Sequence, residues 1–106
     1  MGQTSPVVQW NMTKIFKTLK AHRQKLRTLG VLEIGLFGSY KRGTAKPDSD
    51  MDFLVIFEQP SFDAYMDTKF FLEDLFQCKV DLVIEQNIKP RLRPYILNEV
   101  SYVSGL

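Results

Sequence analysis

Cysteine and histidine each occur once, at Cys78 and His22. A single thiol excludes an internal disulfide and suits a reducing compartment. Cys78 lies in an apolar stretch and reads as buried filler rather than as a nucleophile. Charge of one sign is equally scarce. Fourteen Lys and Arg against 12 Asp and Glu leave +2, too little to imply nucleic-acid binding by charge alone. No apolar run approaches the roughly 20 residues of a membrane span. Residues 1–6 show neither the basic nor the apolar region of a secretory leader, and Pro6 stands where a myristoylation signal wants Ser or Thr. A cytoplasmic location without membrane association is therefore expected.

What remains is ordinary for a globular domain. Hydrophobic residues make up 44% and charged residues 25% of 106, which argues against disorder. Eight Phe, four Tyr and one Trp are ample core material. The length suits one domain, read as 13–106 behind a loose segment over 1–12. The basic residues gather in two stretches, Lys14 to Arg27 and Lys89 to Arg93. Each reads first as a solvated helix face, and second as a surface for a phosphate-bearing partner.

Periodicity sets the element order. Ile15, Leu19, His22, Leu26 and Leu29 recur at spacings of four and three, which predicts one helix ending at Gly30. His22 falls in its apolar stripe and reads as a packing residue. Val31 to Phe37 alternates as a strand, with Leu32, Ile34 and Leu36 on one side. Tyr40 to Gly43 suits a single helical turn, and 44–49 a loop. Asp52 to Phe57 is nearly all apolar, as expected of a strand covered on both faces. Ser61 is a helix N-cap, followed by Phe62, Tyr65, Met66, Phe70, Leu72, Leu75 and Phe76 on a broad helical face. Lys79 to Ile84 is a third strand. A last helix opens near Pro90 or Pro94, before an edge strand over 100–103. The order describes an α/β (α+β) fold with a small mixed sheet flanked by helices.

The chemistry concentrates between the first two strands. Gly38-Ser39 ends the first strand, and ten residues later Asp50-x-Asp52 opens the second. Gly38 has no side chain, so its backbone can approach an anion closely. Free N–H groups of a following helical turn and the Ser39 hydroxyl would add donors. Alternate residues of a strand point to one side, so Asp50 and Asp52 repel each other unless a cation lies between them. Magnesium prefers such hard oxygen ligands and is completed by substrate phosphates and water. Asp81, inside Val80-Asp81-Leu82-Val83, brings a third carboxylate if its strand pairs beside the second. An acid there is unfavourable to bury unless something pairs with it. Three carboxylates near a triphosphate suit two-metal catalysis.

On these residues the chain resembles the nucleotidyltransferase superfamily with a DNA-polymerase-β-like palm, and within it the minimal single-domain members. Gly38, Ser39, Asp50, Asp52 and Asp81 match the hallmark pattern. Arg42-Gly43 matches the usual Arg-Gly, and Ser49 the usual Ser before the first Asp. Lys89-Pro90-Arg91-Leu92-Arg93 resembles the tail of the group. The chain departs at Tyr40, where many relatives carry a basic residue. Lys41 and Arg42 are the candidates to supply that charge.

The resemblance implies catalysis and metal binding by Asp50, Asp52 and Asp81. It implies nucleotide contacts from Gly38, Ser39, Arg42 and Ser49, two magnesium ions, and ATP as substrate. It further implies a toxin–antitoxin pair. The partner would be a HEPN-domain toxin, silenced when AMP is moved from ATP to one of its tyrosines, and the two chains would form a hetero-oligomer. The alternatives are neutralisation by binding alone, and nucleotidylation of a small molecule or an RNA end. The expected single domain has no second domain to hold an acceptor, which favours a docked protein hydroxyl.

Overall fold

Residues 9–106 are described in the computed structural model. Helix α1 spans Met12–Ala21 and starts at Asn11, whose side chain accepts from the Lys14 N–H at 2.9 Å. A short helix α2 follows over Arg23–Thr28. The single helix expected here is broken at His22. Its Nδ1 lies 2.9 Å from the Thr18 carbonyl, and its own N–H turns to Leu19. These local bonds replace the regular ladder for one residue. The imidazole packs edge-on near Phe71, as a packing residue should. Gly30 closes α2 in the left-handed conformation at φ 91°.

Residues 1–8 of the expected loose segment lie outside the described residues. Its remainder is held. The Trp10 indole donates to the Phe76 carbonyl at 3.1 Å and meets the Phe76 ring edge-on at 4.8 Å between centroids.

Four strands form one sheet: β1 (Val31–Phe37), β2 (Met51–Phe57), β3 (Val80–Ile84) and β4 (Ser101–Tyr102). Their order is β3-β2-β1-β4. β1 is antiparallel to β2 and β4, whereas β2 and β3 run parallel. The sheet is therefore small and mixed. In β1 the register shifts between Val31 and Glu33, so Leu32 is turned out and half exposed. Strict alternation had assigned it to the same side as Ile34 and Leu36. A bulge inserts one residue and reverses the side of everything before it.

Helix α3 (Gly38–Arg42) follows β1 directly. Helix α4 (Phe62–Phe76) crosses between the parallel strands, with Ser61 accepting from the Ala64 N–H at 3.0 Å. Only Thr68, Leu72 and Phe76 of α4 are fully buried. Phe62 and Phe70, read from the sequence as part of the packed face, are 76% and 58% exposed. A turn of 3-10 helix (Glu85–Asn87) leads from β3 towards α5 (Arg93–Glu99), which has Pro94 in its first turn.

The core lies on one side of the sheet. Ile15, Leu19 and Leu26 pack there with Ile34, Leu36, Met51, Phe53, Val55, Leu72, Phe76 and Leu82. On β2 these are the odd-numbered positions, so the even-numbered Asp52, Leu54 and Ile56 face the other side. The end of α4 is tied to the start of β3, because Glu73 accepts from the Val80 N–H at 3.1 Å. That contact ties down the residue just before Asp81. Among the described residues no helix is long and apolar enough to cross a membrane.

Candidate active site

The parallel register pairs Asp52 with Asp81, with Met51↔Val80 before and Phe53↔Leu82 after. Paired residues of neighbouring strands project to one side, with the strands about 4.8 Å apart. The two acids therefore share the face opposite the core. In β1 the partner of Asp52 is Phe37, the residue just before Gly38. Gly38 takes φ 76°, and a Cβ built on it would lie 2.0 Å from Asp52 Oδ2 and 2.8 Å from its Cγ. Glycine is required there twice over, by the backbone conformation and by the carboxylate packed against it.

Asp50 lies in the loop before β2 and is exposed. The loop is closed by Ser49, whose hydroxyl accepts from the Lys46 N–H at 2.8 Å and whose N–H donates to the Lys46 carbonyl. In this structure Ser49 shapes the approach to Asp50. Ser39 is half-buried in the first turn of α3, and its carbonyl accepts from the N–H groups of Gly43 and Thr44. Gly43 ends α3 in the left-handed conformation at φ 79°. Arg42 closes the same helix and donates from Nη1 to Glu99 Oε1, at the end of α5.

The electrostatics bind these groups together. Asp52 is pushed up to about 6, first by burial, then by Asp81, then by Asp50. Arg42 acts in the opposite direction, and Glu99 adds to the rise. Four neighbouring side chains thus act on one carboxyl group. Tyr40 packs against the core cluster, and burial, with Cys78 second, raises its phenol above the ordinary value. The residue that follows Gly-Ser is a packing residue here. Burial also raises the Cys78 thiol, with Asp50 the next cause. Cys78 is half-buried, as a filler should be.

The donor set suits magnesium in kind. It consists of carboxylate oxygens beside a glycine cradle that any side chain would fill. Among the described residues, no group of three or more His, Cys, Asp or Glu side chains is gathered as a metal site by itself. Magnesium normally draws further ligands from phosphate and water. Sequence reasoning missed Glu99, because nothing in its spacing marks it. Its place follows from β4 pairing with β1, which brings the end of α5 back to α3.

The site is thus a strand ending in a glycine turn, with paired acids on the next two strands of a small mixed sheet. The family model for the nucleotidyltransferase domain matches residues 18–103, and the chain belongs to that family: it is a nucleotidyltransferase. It is similar to the protein adenylyltransferase MntA of Thermococcus cleftensis, at 45% identity over 94 residues, 87% of this chain and 95% of that one. Among solved structures it resembles one provisionally described as a minimal nucleotidyltransferase. That match has 36% identity and a TM-score of 0.66, and covers 81% of this chain and 93% of the other. It also resembles a chain in a toxin–antitoxin crystal structure with AMP-PNP. There the identity is 26% and the TM-score 0.68, over 92% and 75% of the two chains.

Proposed function

We propose that the chain moves AMP from ATP, with magnesium, to a tyrosine hydroxyl of a HEPN-type toxin, and so acts as that toxin's antitoxin. The observation that carries this reading is the pairing of Asp52 with Asp81 beside Gly38. The similarity to a protein adenylyltransferase and to a toxin–antitoxin structure supports the choice of donor and acceptor.

Asp50, Asp52 and Asp81 would hold the magnesium ions, which when bound neutralise triphosphate charge and activate the acceptor oxygen. Gly38 and Ser39 bind phosphate oxygens through backbone N–H groups and the hydroxyl. Arg42 stands at the far end of α3 as a donor to the same oxygens. Ser49 holds the loop that carries Asp50. The acceptor oxygen forms a bond to the α-phosphorus while the bond from that phosphorus to its bridging oxygen breaks. Pyrophosphate leaves, and the acceptor's proton passes to Asp81. Asp81 is exposed on the edge strand of the sheet, where a docked protein hydroxyl can reach it.

The test is co-purification with the protein encoded beside it, followed by intact mass of both chains. Wild type adds about 329 Da per AMP to the partner. Asp50→Ala and Asp52→Ala leave the partner unmodified while keeping the native circular dichroism. Transfer retained in both variants rejects the reading. Neutralisation by both variants with no adduct assigns the protein to binding alone.

A further inference from the structure

The ion pair between Arg42 and Glu99 joins two elements that are distant in sequence. Arg42 ends α3, the helix that begins at Gly38, and Glu99 ends α5. The pair is partly open to solvent, at 54% exposure for the Arg42 side chain and 33% for Glu99. A pair so exposed adds little to stability. Its position is the informative part. Both groups lie within electrostatic reach of Asp52, as do Asp50 and Asp81. Arg42 therefore has Glu99 as its partner and Asp52 within reach. A guanidinium released from Glu99 has the Asp52 carboxylate, which packs against the first residue of its own helix, as an alternative partner for a charge-assisted hydrogen bond. Settling there would block oxygens proposed to hold magnesium and withdraw from phosphate the cation that closes α3.

We infer that Glu99 is a positioning residue, holding the Arg42 guanidinium at the rim of the acidic cluster, turned to an incoming triphosphate rather than folded onto Asp52. The inference rests on the reading that this site binds a nucleoside triphosphate. Only Nη1 of Arg42 is engaged by Glu99, and among the described residues its other guanidinium N–H groups have no partner, which leaves them for phosphate. A fixed fork loses less freedom on binding than a free one.

The sign of the effect separates positioning from a structural role. With Arg42 present, Glu99→Ala frees the guanidinium and weakens triphosphate binding. With Arg42 already replaced by Ala, the Glu99 carboxylate only repels the polyanion, so removing it leaves binding unchanged or tighter. Mg-ATP is titrated calorimetrically into the full chain, into Glu99→Ala, into Arg42→Ala and into the double variant. Glu99→Ala raises Kd by roughly 2- to 12-fold, the scale of immobilising one long side chain. Arg42→Ala raises it roughly 10- to 100-fold, the scale of a hydrogen bond to a charged group. The double variant equals or improves on Arg42→Ala. Glu99→Asp, with the charge kept on a shorter stem, recovers part of the wild-type affinity. Weakening by Glu99→Ala in both backgrounds, or no weakening with Arg42 present, overturns the inference. Absence of Mg-ATP binding to the wild type would instead refute the reading of the site.

Discussion

Gly38→Ala tests the site at its tightest point. The substitution meets two obstacles. At φ 76° an alanine adopts a left-handed backbone, which costs about 1–2 kcal/mol. Its Cβ would stand 2.0 Å from Asp52 Oδ2, where ordinary contact begins at 3.4 Å. The carboxylate must therefore retreat by 3.4 − 2.0 = 1.4 Å, or the α3 turn must lift by as much. Asp52 is half-buried between Phe37 and Asp81, so its retreat also disturbs the pairing with the third acid. A misplacement of about 1 Å at reacting groups costs on the order of a hundredfold in rate. The expected outcome is a folded protein destabilised by about 1–2 kcal/mol with AMP transfer reduced about 100-fold. Thermal melts give the first quantity, and transfer of label from α-labelled ATP to the partner gives the second. Transfer within about threefold of wild type, in a variant that melts as predicted, would refute the claim that Gly38 and Asp52 form one rigid cradle.

Asp52 gives a pH signature. Its folded pKa of about 6 lies above the ordinary 3.8, so the folded protein loses stability as the pH rises through that window. Asp52→Asn removes the ionisation. The melting-temperature advantage of this variant over wild type should grow from about pH 4 to pH 6 and then level off, without magnesium or nucleotide. A constant difference across that range contradicts the burial and repulsion assigned to Asp52. Trp10→Phe keeps the ring contact with Phe76 but removes the 3.1 Å hydrogen bond, and should cost about 1 kcal/mol by chemical denaturation. Trp10→Ala loses the ring as well and should cost about 2–3 kcal/mol, below the range for a fully buried aromatic. Equal stability of both variants and wild type would show that this residue is not docked.

Much of the site was legible because its parts are local. Gly38-Ser39 and Asp50-x-Asp52 are fixed by short spacings, and Asp81 is conspicuous as an acid among Val80, Leu82 and Val83. The strand Val31–Phe37 and the N-cap at Ser61 followed from alternation and capping chemistry, and both are present. What the pattern could not show was decided between distant segments. Leu32 turns outward because a bulge forms against β2. Phe62 and Phe70 are left exposed because α4 offers only one narrow side to the sheet. Gly35 looks like an ordinary strand glycine. Yet a Cβ there would meet Val100 Cγ2 at 2.6 Å and the Ser101 carbonyl at 3.1 Å, so its bareness lets β4 close on β1. That closure brings Glu99 to Arg42, a meeting of residues 57 positions apart that no local pattern encodes.

The ladder between β2 and β3 has one more consequence. Leu82 and Ile84 settle into the oily layer opposite Phe53 and Val55, and this seating decides how far β3 has slid along its neighbour. A slip of one position would carry Asp81 through the sheet to the greasy side and leave Asp52 facing a valine or a leucine. Alignment of the acids is thus guaranteed by residues that never meet substrate. Inserting or deleting a single residue between Gln77 and Val80 should erase activity more thoroughly than many substitutions beside the nucleotide.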